Sequence, residues 1–189
     1  MSTDTQVKTQ NTSPYRPEDD GVTHVNVYSR GVTTLGRGLS NLSECNIEHP
    51  YFGHFRTLEG LWFYMKTGFK DDQFRIIKGV AARDLGKQMP SGHYPLFNKM
   101  FKLGMLEKLE RSPQLQNQLL ENELPLAHYY SYGGGKKIMQ LDRHQWQLDF
   151  WILLRSTLKN TGSLKVIRDE LVESIKYHLD NPKEVKAAE

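Results

Sequence analysis

Apolar side chains recur along most of this chain at the spacing of helices. From Asp72 to Gln88, Phe74, Ile77, Ala81 and Leu85 follow one another at intervals of three and four, predicting a helix with one buried face that ends before Pro90. Leu96 to Leu109 repeats the pattern with Phe97, Met100, Phe101 and Met105. Ser112 followed by Pro113 reads as an N-cap and a first-turn proline, opening a helix that runs to Glu121. Two further helices are predicted over Trp146 to Leu158 and Leu164 to Leu179, the last with Val166, Ile167, Leu171, Val172, Ile175 and Leu179 on one side. Earlier in the chain, Thr57 is placed to cap a helix over Leu58 to Thr67, and Gly68 supplies its stop.

A period of two occurs in His24-Val25-Asn26-Val27-Tyr28, the pattern of a half-buried strand. Gly31 to Asn46 is rich in Gly, Thr and Ser and predicts loop; Ile47 to Phe55, with Pro50 and Gly53, predicts loop or hairpin. Leu126 to Met139 departs from helical spacing, with His128-Tyr129-Tyr130-Ser131-Tyr132 running into Gly133, Gly134, Gly135, Lys136 and Lys137. The fold class expected is α+β, a mostly helical single domain with a small β-sheet. Residues 1–22 carry almost no large apolar side chain and predict a flexible tail; 23–180 form the domain and 181–189 a C-terminal tail.

A chain of 189 residues supports one core. No apolar run approaches the roughly 20 residues that span a bilayer, and the first residues lack the basic-then-apolar pattern of a secretory signal, so a cytoplasmic protein with no membrane partner is expected. Cys45 is the single cysteine, which excludes an intramolecular disulfide. Cys45, His49 and His54 lie in one short stretch but lack a fourth partner at a zinc-site spacing, and no metal is expected. The net charge of +3 favours an anionic substrate without by itself indicating nucleic-acid binding.

On a helix, Glu59, Trp62, Phe63 and Lys66 stand at i, i+3, i+4 and i+7, so a carboxylate and an amine bracket an aromatic stripe. Such surroundings tune a carboxyl for acid–base work. The same residues also fit a purely structural role, with Glu59 complementing the helix dipole and Trp62 and Phe63 in the core. The tyrosine–glycine segment suits nucleotide recognition through stacking and backbone amides, and equally suits a hairpin tip with solvated lysines. It matches no Walker or dinucleotide fingerprint, no G-x-S-x-G elbow is present, and no motif calls for a cofactor.

Gly38-Leu39-Ser40-Asn41-Leu42, then Phe55-Arg56-Thr57-Leu58-Glu59 with Lys66, then Ala81-Ala82-Arg83-Asp84-Leu85-Gly86, then Tyr130 to Gly135 and Leu153-Leu154-Arg155, resemble in order the elements of the NADAR (YbiA-like) family. The resemblance covers nearly everything from Val25 to Lys159. It departs at Gly60, where the family has His, at Phe63, where it has Gln, and at Tyr132, where it has Trp. It implies a NADAR-like fold and an N-glycosidase that cuts a bond from a ribose anomeric carbon to nitrogen. The implied substrates are ribosylamino-pyrimidine phosphates of the riboflavin pathway, or ADP-ribose carried on guanine in DNA in toxin–antidote or phage counter-defence settings. By the same resemblance Glu59 and Lys66 are the catalytic candidates. Asn41, Trp62, Tyr132, Gly133, Gly134 and Arg155 are the substrate-binding ones, with Trp62 or Tyr132 stacking and Arg155 meeting a phosphate. The departures leave open a second reading, a module that binds ADP-ribose-like nucleotides without cleaving them. A third is a protein-interaction domain using the amphipathic helix from Leu164.

Overall fold

Eight helices and six short strands make up the described part of the chain, residues 14–132, 137–139 and 142–182 of a computed structural model. Their order is a 3-10 turn at Pro17–Asp19, β1 (Val25–Asn26), α1 (Thr34–Leu39), β2 (Glu44–His49), β3 (Gly53–Thr57), α2 (Leu58–Lys66), α3 (Gln73–Ile76) and α4 (Gly79–Gly86). There follow α5 (Phe97–Glu110), α6 (Pro113–Glu121), β4 (Leu126–Ala127), β5 (Tyr130–Tyr132), β6 (Lys137–Met139), a second 3-10 turn at Asp142–His144, α7 (Gln145–Thr161) and α8 (Lys165–Asp180). The architecture is α+β and mostly helical, as expected. The strands form three separate pairs in place of one small sheet: β1 with β4 in parallel, and the antiparallel hairpins β2–β3 and β5–β6. No described helix is long and apolar enough to cross a membrane.

The core gathers on α5, in which every residue from Leu103 to Leu109 is buried, between α2 and β2 on one side and α6, α7 and α8 on others. Leu58, Leu61 and Met65 of α2 and Trp151 and Leu154 of α7 are at most 1% exposed within the same cluster. Burial on this scale, at ~25 cal/mol per Å² of apolar surface, supplies the main driving force for folding. His49 enters the core with both ring nitrogens used: Nε2 donates to the Met100 carbonyl at 2.9 Å and Nδ1 accepts from the Tyr51 amide at 3.3 Å. Burial presses its pKa down to about 4, so the imidazole is neutral.

Several caps match the expectations. Thr57 Oγ1 accepts from the Gly60 amide at 3.1 Å at the start of α2, and Ser112 Oγ from the Leu115 amide at 3.3 Å at the start of α6. Gly68, at φ +79°, ends α2 in a Schellman arrangement, with the Gly68 amide on the Met65 carbonyl and the Phe69 amide on that of Tyr64.

Other expectations are corrected. The helix expected over Asp72 to Gln88 is broken at Ile77 and Lys78, both extended, into α3 and α4, and Ala82 rather than Ala81 is buried. Gly31 to Asn46 is not all loop: it contains α1 and the first residues of β2. The strand at His24 to Val27 is buried at all four positions, not alternately, because the polar members find partners inside. His24 Nε2 bonds Tyr129 Oη at 2.7 Å, and the Asn26 side chain bonds the Tyr129 backbone twice, at 3.1 Å each. In α8, Val166 and Leu179 of the expected apolar face are exposed, and Ile167 and Ile175 carry the packing. The segment assigned to the tail folds onto the domain from Tyr15, whose ring lies 4.6 Å from that of His24. Buried Asp20 accepts from the Asn26 and Val32 amides at 2.9 and 2.7 Å. Residues 1–13 and 183–189, which hold most of both expected tails, lie outside the described residues.

Candidate functional site

Glu59 occupies the first turn of α2, directly after the Leu58 that anchors the helix in the core. Two features keep its carboxyl unusual. The carbonyl of Asn41 takes the Glu59 amide at 2.9 Å, so the carboxylate cannot fold back onto its own helix terminus. Among the described residues no hydrogen bond or close ion pair holds the carboxyl itself. Burial pushes its pKa up to about 7, against the opposing charges of Arg83, Lys87 and Lys66. Near neutral pH the group therefore stands half protonated, the poise of a general acid or base.

The cations come from two elements. Lys66 lies two turns along α2, its amine 5.7 Å from the centre of the Phe63 ring, while Arg83 and Lys87 come from α4 and its C-terminal end. Arg83 also pairs with Asp84 at 2.9 Å. Charges of the same surroundings also reach β5 and the turn before α7. The Tyr130 phenol is raised by burial and then by the charge of Glu59, and Arg143 opposes that shift. Its ring is packed edge-on by His128 at 5.1 Å and Tyr28 at 5.2 Å. His144 is held down to about 4, first by burial and then by Arg143, His128 and Lys66, and its buried Nδ1 has no hydrogen-bond partner among the described residues.

Asn41 and Lys66 are thus brought to Glu59, and Tyr132 is placed beside Tyr130. The Asn41 side chain donates to Gln147 Oε1 of α7 at 2.9 Å, and among the described residues its amide oxygen takes no hydrogen bond. Tyr132 is 49% exposed, with its ring centre 6.5 Å from that of Tyr130. Trp62 borders the region from within an aromatic cluster, edge-on to Phe97, Phe101 and His144 at 4.6, 5.1 and 5.5 Å and stacked with Trp146 at 6.4 Å. Gly133 and Gly134 lie outside the described residues, as does Lys136.

Arg155 is placed elsewhere. Its guanidinium donates to the Leu124 and Asn122 carbonyls at 2.8 and 3.4 Å, supporting the chain that leaves α6, and it lines a separate cleft of about 320 Å³ with Tyr15, His128 and Gln145. Both bonds come from Nη1, so the geometry gives Arg155 a structural role toward this segment, with Nη2 and Nε outside those two bonds. Cys45, His49 and His54 are also directed to other partners: the Arg56 carbonyl, the Met100 carbonyl and Glu48.

Gly60 and Phe63 are both set by packing. A Cβ on Gly60 would stand 2.2 Å from the Phe74 carbonyl oxygen, so no side chain fits there. Phe63 fills the space against Gly86, whose own Cβ would meet its ring at 2.0 Å. An apolar floor one turn from Glu59 adds to the desolvation of that carboxyl.

Sequence reasoning did not single out Tyr130, Lys87, Arg143 or His144. Arg83 was visible within the Ala81-Ala82-Arg83 element, but without its partner across the fold it carried no role. Set against protein-family models, curated proteins and solved structures, the chain matches none of them.

Proposed function

We propose that the chain is an N-glycosidase of NADAR-like type that hydrolyses the bond between a ribose anomeric carbon and a base nitrogen, with ADP-ribosylated guanine in DNA as the leading substrate. The observation that carries this reading is Glu59: an unpartnered, partly buried carboxyl poised at about 7 amid Lys66, Arg83 and Lys87. The bond breaks through an oxocarbenium-like state that a facing carboxylate stabilises. In the proposed step, ionised Glu59 takes a proton from water as the water oxygen bonds to the anomeric carbon. The carbon–nitrogen bond breaks, its electron pair leaves with the nitrogen, and the nitrogen takes up a proton from solvent while protonated Glu59 returns one to the solvent. Lys66 contacts a phosphate or the departing base, the Asn41 amide oxygen accepts from a ribose hydroxyl, and Tyr132 stacks on the ligand. Reaching such a base in duplex DNA requires extruding it from the stack.

The test is incubation of wild type and Glu59→Gln with oligonucleotides carrying ADP-ribosylated guanine, following free ADP-ribose by mass spectrometry. Release by wild type alone supports the reading. Binding of ADP-ribose with no release by either protein replaces it with the sequestering module, and release from ribosylamino-pyrimidine phosphate alone moves the substrate to flavin precursors.

A further inference from the structure

Lys108 lies in the middle of α5, 1% exposed, and no acidic group pairs with it among the described residues. Burial lowers its pKa to about 8, which still leaves it charged at neutral pH. An unpaired buried charge is costly, and this one is held by two short hydrogen bonds alone: Nζ donates to the Ser40 carbonyl at 2.7 Å and to Ser43 Oγ at 2.6 Å.

Both acceptors belong to the turn from Ser40 to Ser43 that follows α1. The turn is knitted internally, with the Ser43 amide on the Ser40 carbonyl at 3.2 Å and Ser43 Oγ donating to the Gly38 carbonyl at 2.8 Å. It is also gripped from outside. Gly79, at the start of α4, sits so close to Leu42 that a Cβ there would lie 2.7 Å from the Leu42 backbone. Between Ser40 and Leu42 stands Asn41, whose carbonyl holds the Glu59 amide and whose side chain reaches Gln147.

We infer that Lys108 is a positioning residue: by anchoring the Ser40–Ser43 turn from beneath, it fixes the Asn41 carbonyl on the Glu59 amide and so keeps the Glu59 carboxyl from capping its own helix. As a statement about catalysis this rests on the reading of Glu59 given above. As a statement about the geometry of Glu59 it does not. Without the anchor the Glu59 amide comes free, the carboxyl gains a local donor, and its titration moves toward that of an ordinary glutamate.

Two measurements on full-length Lys108→Met test this. Amide exchange at Glu59 should quicken about tenfold relative to the amides of Leu103 and Leu106 in α5, the size of one lost hydrogen bond. The Glu59 carboxyl, followed by ¹³C NMR, should titrate below the wild type's value of about 7, toward the ordinary 4.5. Lys108→Gln, which keeps a shorter neutral donor at the same place and leaves the Ser43 Oγ bonds within the turn intact, should show the same two changes at a smaller size, and it decides the matter should Lys108→Met fail to fold. Unchanged exchange and titration at Glu59 would overturn the inference. Faster exchange spread evenly over α5 and α2, with the Glu59 titration unmoved, would overturn it equally by making Lys108 a support of the fold alone. Both readouts are independent of turnover. A protein that releases no ADP-ribose yet shows the two local changes therefore loses the glycosidase reading and keeps the positioning one.

Discussion

Two charges withdrawn from water flank the Ser40–Ser43 turn, and they are treated in opposite ways. Lys108 is fully buried and held by two short hydrogen bonds to the backbone and a side chain of that turn. Glu59 is partly buried and held by none, although three cations act on it. A buried charge that is hydrogen-bonded to fixed groups defines geometry, whereas one left unbonded is unstable and therefore reactive. The turn between them couples the two, taking its position from the lysine and passing it to the glutamate.

The sharpest way to break this contrast is to remove the reactive member. Glu59→Gln should lower ADP-ribose release by about 10²–10⁴-fold, the usual share of a general base, while leaving ADP-ribose binding measurable by calorimetry. In wild type, kcat/KM should rise with pH through about 7 and level off above it, because the base must be ionised. A profile that falls above neutral pH instead would assign Glu59 to protonating the leaving nitrogen.

The unbonded carboxyl should also be visible in stability. Its folded-state pKa of about 7 lies above the ordinary 4.5, so its contribution is complete below pH 4.5 and is lost as pH rises to about 7. Wild type and Glu59→Gln should thus match in acid and diverge toward pH 8, with the variant more stable there by roughly 1–3 kcal/mol in urea melts. His144 gives the opposite slope. Its folded pKa of about 4 is below the ordinary 6.5, so the stability it permits is complete above pH 6.5 and falls as pH drops toward 4. His144→Phe keeps the contact with Trp62 and should flatten that acid limb by roughly 1 kcal/mol. The smallest effect is expected away from the site. Arg155→Met should cost about 1 kcal/mol through the lost carbonyl bonds and leave kcat unchanged.

The helices were the more readable part of the molecule, because their signals are local. Thr57 and Gly68 bound α2, and Ser112 with Pro113 opens α6, through caps that involve neighbours only. What escaped depends on distant partners. The glycines that disguised α1 as loop are there for close approach: a Cβ on Gly36 would stand 2.2 Å from the Asn26 carbonyl, and one on Gly38 2.7 Å from Leu115. The break before α4 is tied to Gly79 packing on Leu42, again beyond the reach of a local pattern.

The site divides along the same line. Glu59 and Lys66 share a helix, so their relation follows from spacing. Which tyrosine of the run faces the glutamate follows only from strand pairing: Tyr129 turns inward to His24, and Tyr130 turns the other way. The carbonyls that Arg155 supports, 31 and 33 positions away, are likewise beyond the reach of a local pattern.

The pairing of β1 with β4 joins Asn26 to the backbone of Tyr129 across 103 positions of chain. Closing a loop of that length is the slow, entropically demanding kind of folding event. Tyr130, His144 and Gln147, which complete the surroundings of Glu59, lie beyond that closure. A chain emerging from the ribosome therefore carries Glu59 long before its surroundings can form, and they should be completed abruptly, only once the C-terminal third has emerged and docked.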